Sequence, residues 1–106
     1  MLVVTSDLVP GHNIIEVKGL AQGNTVRAKH VGRDIGAGLK SVVGGELKAY
    51  TELLSDSRRE ATRRMIEHAT NQGANAIVAA RYTTSAISEG ASELFAYGTA
   101  VVIDRE

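Results

Sequence analysis

The chain has 106 residues, of which 43% are apolar and 23% charged, and this composition predicts a single globular domain over residues 1–106 rather than a disordered chain. Because the formal net charge is zero, the overall charge gives no reason to expect nucleic acid or an anionic membrane as a partner. Cysteine is absent, which excludes disulfides, thiolate metal ligands and cysteine nucleophiles.

The first part of the chain predicts three short strands. The apolar run at residues 2–5 predicts one of them, and residues 13–18 and 25–29 each alternate between apolar and polar side chains. A period of two is typical of antiparallel strands with one exposed face. Gly19 and Gly23 lie between the two alternating runs, where they suit a turn or a β-bulge.

Two helices are predicted in the middle of the chain. Residues 31–43 carry apolar side chains at helical spacing, and Gly44 ends this helix because glycine readily adopts the left-handed conformation. A longer helix is predicted over residues 47–72 and ends at Gly73. Its apolar stripe comprises Leu47, Tyr50, Leu54, Ala61, Met65 and Ala69.

Two strands are predicted at the end of the chain, over residues 76–83 and 94–104, joined by the polar segment 85–92. The last strand places Phe95, Tyr97, Val101 and Ile103 on one side, and Leu94, Ala96, Gly98, Ala100 and Val102 on the other. The order strands–helix–helix–strands predicts an α+β fold, a small antiparallel or mixed sheet with two helices packed on one face.

The apolar character of both faces of the last strands indicates that both are covered. Two helices can cover one face, so we expect another copy of the chain to cover the other. Gly32, Gly36 and Gly38 add a second indication, because each costs about 1 kcal/mol relative to alanine inside a helix. Two explanations stay open, namely tight packing against a helix or subunit and the close approach of a ligand.

Four segments of the chain resemble the YbjQ-like family, whose label proposes heavy-metal binding. They are RDIGAGLKSVVGG, GGELKAYTELL, GANAIV and ELFAYGTAVVI, which follow one another over nearly the whole chain. The resemblance implies a compact α+β subunit of a ring-shaped homopentamer, without an established molecular function and without catalytic residues to carry over. The heavy-metal label fits this chain poorly, because soft metals favour thiolate ligands.

The candidate ligand-binding residues flank the glycine-rich helix and its turn. They are Arg33, Asp34, Glu46 and Tyr50. If the glycines of the predicted helix are there to let a ligand approach its backbone, these four residues are the nearest polar contacts for that ligand.

No other motif predicts a cofactor or catalytic residues. The segment GAGLKS lacks the glycine that a P-loop has directly before its lysine, and the serines lack a Gly-x-Ser-x-Gly elbow. His12, His30 and His68 have no recognised metal-ligand spacing, so the identity of any metal stays unknown. Arg58, Arg59, Arg63 and Arg64 are interleaved with Asp56, Glu60 and Glu67, which favours a solvated helix face over a nucleic-acid site. The pairs Glu60–Arg64 and Arg63–Glu67 have the i,i+4 spacing that supports such a face.

These observations favour a non-enzymatic homo-oligomeric binding or scaffold protein that could hold a small ligand or metal ion between its subunits. The alternative is an enzyme with an acid–base site of carboxylates shared between subunits, drawn from Asp34, Glu46, Glu52 and Glu93. No apolar segment approaches the roughly 20 residues that span a bilayer, and the first residues lack the basic start of a signal peptide. We therefore expect a cytoplasmic protein.

Overall fold

The computed structural model describes residues 1–27, 48–88 and 91–104. The elements in chain order are β1 (Leu2–Val3), β2 (Ile14–Arg27), α1 (Lys48–Asn71), β3 (Ala76–Ser88) and β4 (Ala91–Ile103). The four strands form one mixed sheet in the order β1-β3-β4-β2. β1 runs parallel to β3, while β4 pairs antiparallel with β3 on one side and with β2 on the other.

The prediction of two helices between the strands is wrong for the fold that the structure gives. Its described residues contain one helix and a four-stranded mixed sheet, in the order strand, strand, helix, strand, strand, which remains α+β. The first predicted helix was placed on residues 31–43, which lie outside the described residues.

The two alternating runs near the start of the chain belong to one strand, not to two. β2 continues from Ile14 to Arg27 and pairs with β4 along this length. The pairing shifts register between Val17 and Gly19, and Gly19 has a φ of 130°, a conformation that other residues rarely adopt. A bulge at this glycine therefore bends the strand without ending it.

The long helix is confirmed, since the described helix runs from Lys48 to Asn71 and the prediction covered residues 47–72. α1 ends in a Schellman motif, in which the Gly73 N–H donates to the Thr70 carbonyl and the Ala74 N–H donates to the Ala69 carbonyl. Gly73 has the positive φ of 86° that this motif requires. The buried stripe runs through Ser57, Ala61, Met65 and Ala69, whereas Leu54, expected in that stripe, is 48% exposed.

The helix packs closely over β2 and β4. Ala61, Met65 and Ala69 are buried against Ala21 of β2 and Ala96 and Ala100 of β4. The closest approach is at Gly23, where an added Cβ would lie 2.3 Å from the Ala61 carbonyl oxygen. The small side chains of this sheet face therefore let the helix backbone lie almost on the strands.

The chain itself covers one end of the opposite sheet face. Val9, in the segment between β1 and β2, is buried with Val78, Val101 and Ile103. Backbone hydrogen bonds join this segment to the sheet, from the Ala80 N–H to the Val4 carbonyl and from the Ala79 N–H to the Ser6 carbonyl. Asp104 accepts hydrogen bonds from the backbone N–H and the side-chain amide of Asn13, which lowers the pKa of its carboxyl. Residues of the same chain thus bury part of the sheet face that we expected another copy to cover.

Candidate functional site

A groove lies between α1 and β3, on the helix-covered side of the sheet. Its volume is about 680 Å³, and it is lined by Ser55, Arg58, Arg59, Thr62, Arg63, Ile66 and Tyr82. The helical residues recur three or four positions apart, so they share one flank of α1 next to the buried stripe. The helix lies over β2 and β4, which leaves its other flank open above β3.

A pair of hydroxyl groups bridges the groove. The Thr62 hydroxyl donates to the Arg58 carbonyl, at an oxygen–oxygen distance of 2.7 Å. Its Oγ1 also lies 2.7 Å from the Tyr82 hydroxyl oxygen, so the Tyr82 O–H is the donor in that contact. Tyr82 was not singled out from the sequence, and the alternating run of β3 marks only that it belongs to a strand.

The arginines along the groove differ in their partners. Arg59 pairs with Asp56, and Arg63 pairs with Glu60 at 2.6 Å and with Glu67 at 3.0 Å. The contacts between Arg63 and Glu67 and between Arg64 and Glu60 confirm the predicted i,i+4 spacing on a solvated helix face.

Glu60 is the centre of this ion-pair network. The hydrogen bond from Arg63 lowers the pKa of Glu60 to about 2, and the positive charges of Arg63 and Arg64 act in the same direction. The same contact raises the pKa of Arg63. Glu60 and its arginines therefore stay charged throughout the neutral pH range.

Arg58 has a different environment. Its guanidinium contacts the Ser55 hydroxyl at 3.4 Å, and no carboxylate of the described residues forms an ion pair with it. Arg58 is exposed and lies in the lining of the groove. Its charge is therefore available to a ligand.

A second surface lies on the sheet face opposite the helix, beyond the part that Val9 covers. The rings of Phe95 and Tyr97 stack there at a centroid distance of 5.4 Å and an interplanar angle of 22°. The β2–β4 register places Leu20 and Val26 on the same face, where they are 56% and 51% exposed. The exposed polar residues Gln22 and Asn24 lie between them, opposite Tyr97 and Phe95. We call Leu20, Val26, Phe95 and Tyr97 the open apolar face.

A family model described as "Putative heavy-metal-binding" (YbjQ) matches residues 1–104 of this chain. The chain belongs to the YbjQ-like family. A relative from Hahella chejuensis, named a UPF0145 protein, is 56% identical over 104 residues, covering 98% of this chain and all of the relative. Another UPF0145 protein, from Pyrococcus furiosus, is 54% identical over 106 residues, covering all of this chain and 93% of the relative.

A solved structure supports the fold of this YbjQ-like chain. It is a protein of unknown function from the DUF74 family of Pediococcus pentosaceus, with a TM-score of 0.65 and 16% identity, covering 98% of each chain. At this identity the likeness shows the fold alone. The family model and the two UPF0145 relatives confirm the predicted family, whereas the pentamer expected from the resemblance stays a prediction.

The described part of this YbjQ-like chain does not fit a heavy-metal site. Within residues 1–27, 48–88 and 91–104, no three His, Cys, Asp or Glu side chains lie together as a metal site. The His12 Nδ1 contacts the Asp104 carbonyl at 2.8 Å, and the His68 Nδ1 accepts a hydrogen bond from the Gln22 N–H. Each of these histidines thus has a structural contact, and cysteine, the ligand that soft metals prefer, is missing from the chain.

Three of the four predicted ligand contacts, Arg33, Asp34 and Glu46, lie outside the described residues. Tyr50 lies in the first turn of α1, and its side chain is outside the description as well. Of the other proposed carboxylates, Glu93 accepts a hydrogen bond from Asn24 at 2.9 Å. No helix in the described ranges is long and apolar enough to cross a membrane.

Proposed function

We propose that this protein is a non-enzymatic binding or scaffold protein, which works as a ring of identical subunits and holds a small ligand between or beside them. The observation that carries the proposal is the open apolar face. A stacked aromatic pair beside two exposed aliphatic side chains is costly to leave in water and is typical of a surface that meets another protein.

The ends of the sheet support a head-to-tail arrangement. Among the described residues, β2 forms one edge, and β3 forms the other over residues 81–88, beyond its pairing with β1 and its backbone hydrogen bonds to Val4 and Ser6. The unpaired backbone groups of such edges can accept a further strand. Because the two edges differ, contact between them in neighbouring copies would be heterologous, and a heterologous contact closes into a ring when its rotation allows. The expectation that the ring has five subunits comes from the family resemblance.

The test is the oligomeric mass, measured by native mass spectrometry and light scattering on the wild type and two matched variants. Val26→Asp places a charge in the open apolar face, and Leu54→Asp places one on the helix, at a side chain of nearly equal exposure, 51% against 48%. We expect a pentamer for the wild type and for Leu54→Asp, and smaller species for Val26→Asp, because burying an unpaired carboxylate is costly.

A monomeric wild type at micromolar concentration would overturn this proposal. Dissociation by Leu54→Asp with an intact oligomer for Val26→Asp would place the interface on the helix instead. Circular dichroism of each variant checks that the subunit remains folded.

A further inference from the structure

Among the described residues that line the groove between α1 and β3, one positive charge has no ion-pair partner. Arg59 is neutralised by Asp56, and Arg63 and Arg64 are neutralised by Glu60 and Glu67. Arg58 remains, with a neutral hydroxyl beside it. A planar guanidinium with free N–H groups is suited to a carboxylate, which it can bind through two parallel hydrogen bonds.

The rest of the groove is suited to an apolar body. Ile66 is half-buried on the helix side, and Tyr82 is 50% exposed on the strand side. The Tyr82 hydroxyl is already bound to Thr62, so its ring is the part of this side chain that a ligand would meet. A volume of about 680 Å³ lies in the range of roughly 300–1,000 Å³ that is usual for small-molecule sites.

We propose that this groove binds a monoanionic carboxylate with an apolar body, its head group on Arg58 and its body between Ile66 and Tyr82. The single free charge favours a monoanion, since a dianion such as a phosphate monoester would need a second free cation. All of these residues belong to one chain. The site therefore does not depend on the proposed ring, and a monomeric protein would still bind.

The experiment is an NMR-detected titration of the full-length protein with sodium octanoate and, separately, with 1-octanol, which has the same chain length without the charge. We expect octanoate to bind about tenfold more tightly, because a charge-assisted hydrogen bond contributes that order of affinity. The largest shifts should fall on amides of α1 around Thr62 and of β3 around Tyr82. Equal affinity for the two probes, absence of octanoate binding, or shifts centred on Phe95 would overturn the proposal.

Two pairs of variants distinguish the contribution of the Arg58 charge to affinity from the contribution of the Tyr82 ring. Arg58→Gln should reduce octanoate affinity about tenfold, to the level of octanol, whereas Arg59→Gln should change it less than about twofold, because Asp56 already neutralises Arg59. Tyr82→Ala should weaken both probes about fivefold, whereas Tyr82→Phe keeps the ring and should retain affinity. Equal losses for Arg58→Gln and Arg59→Gln would contradict a specific head-group contact.

The oligomeric mass of each titrated sample is measured in parallel. Octanoate binding by a monomer would leave this inference intact while removing the proposed ring. A pentamer that does not bind octanoate would support the proposed ring and overturn this inference.

Discussion

The two faces of the sheet differ in the size of their side chains. Where the helix lies closest they are small, with Ala21, Gly23, Ala96, Gly98 and Ala100 in adjacent strands, and Ile77 and Leu94 complete the same core. The opposite face instead carries the rings of Phe95 and Tyr97. The difference reflects what each face packs against, because a helix backbone needs space, whereas an open face can hold large apolar groups for a partner.

The largest expected effect compares the two sides of the sheet through one large side chain on each, Met65 of the helix on one side and Phe95 of β4 on the other. Met65 is 1% exposed in the core under the helix, and Met65→Ala should reduce the free energy of unfolding by about 3 kcal/mol, through lost contacts and a residual cavity. Phe95→Ala should cost about 1 kcal/mol at high dilution, chiefly the stacking with Tyr97. Chemical denaturation at two protein concentrations measures both.

A larger loss for Phe95→Ala at high protein concentration would mean that another copy buries the ring, as proposed. Equal losses for the two variants at high dilution would contradict the difference between the faces.

The next effect concerns the space under the helix. Gly23→Ala would place a Cβ 2.3 Å from the Ala61 carbonyl oxygen and 2.4 Å from the Met65 nitrogen. Both are backbone atoms, so α1 must shift, and we expect a loss of about 2 kcal/mol in the free energy of unfolding. Gln22→Ala, the neighbouring position on the opposite face, should change it by less than about 0.5 kcal/mol. A tolerated Gly23→Ala would mean that the helix lies farther from β2.

The smallest expected effect on stability concerns the solvent-exposed surface of α1. The pKa of Glu60 falls from 4.5 to about 2 on folding. A lowered carboxyl pKa adds stability above the unfolded value, and this contribution is lost as the pH falls from about 4.5 towards 2. Glu60→Gln should therefore flatten the pH dependence of the free energy of unfolding in that window.

Arg63→Gln is the matching change to the Glu60 prediction. It removes the strongest cause of the pKa shift, so it should flatten the same pH window. An unchanged slope in both variants would show that solvent screens this exposed pair completely.

Local patterns in the sequence predicted the elements that depend on neighbouring residues. The extent of α1 follows from apolar spacing and from Gly73, whose left-handed conformation ends the helix. The pairing of Arg63 with Glu67 follows from their i,i+4 spacing. The alternation along β4 was also correct, with Ala96 and Ala100 under the helix and Val101 and Ile103 in the other cluster.

The missed features depend on residues far apart in the chain. The bulge at Gly19 became evident only from the pairing of β2 with β4, which carries the strand through a glycine that also suits a turn. The predicted order strands–helix–helix–strands does not match the described residues, which contain one helix between two pairs of strands. The groove was missed because Thr62 and Tyr82 meet only after β3 docks beside the helix.

By itself, the sequence determined the α+β class, the long helix with its ion pairs, and the two apolar faces of the last strands, because these follow from composition and from periods of two and 3.6 residues. The family followed from the resemblance of four segments of the chain. The tertiary structure decided which apolar positions are covered. Val9 folds over Val101 and Ile103, α1 lies directly on Gly23, and Phe95 and Tyr97 stay partly exposed. Whether an apolar side chain is buried depends on packing between distant parts of the chain, which short-range periodicity does not encode.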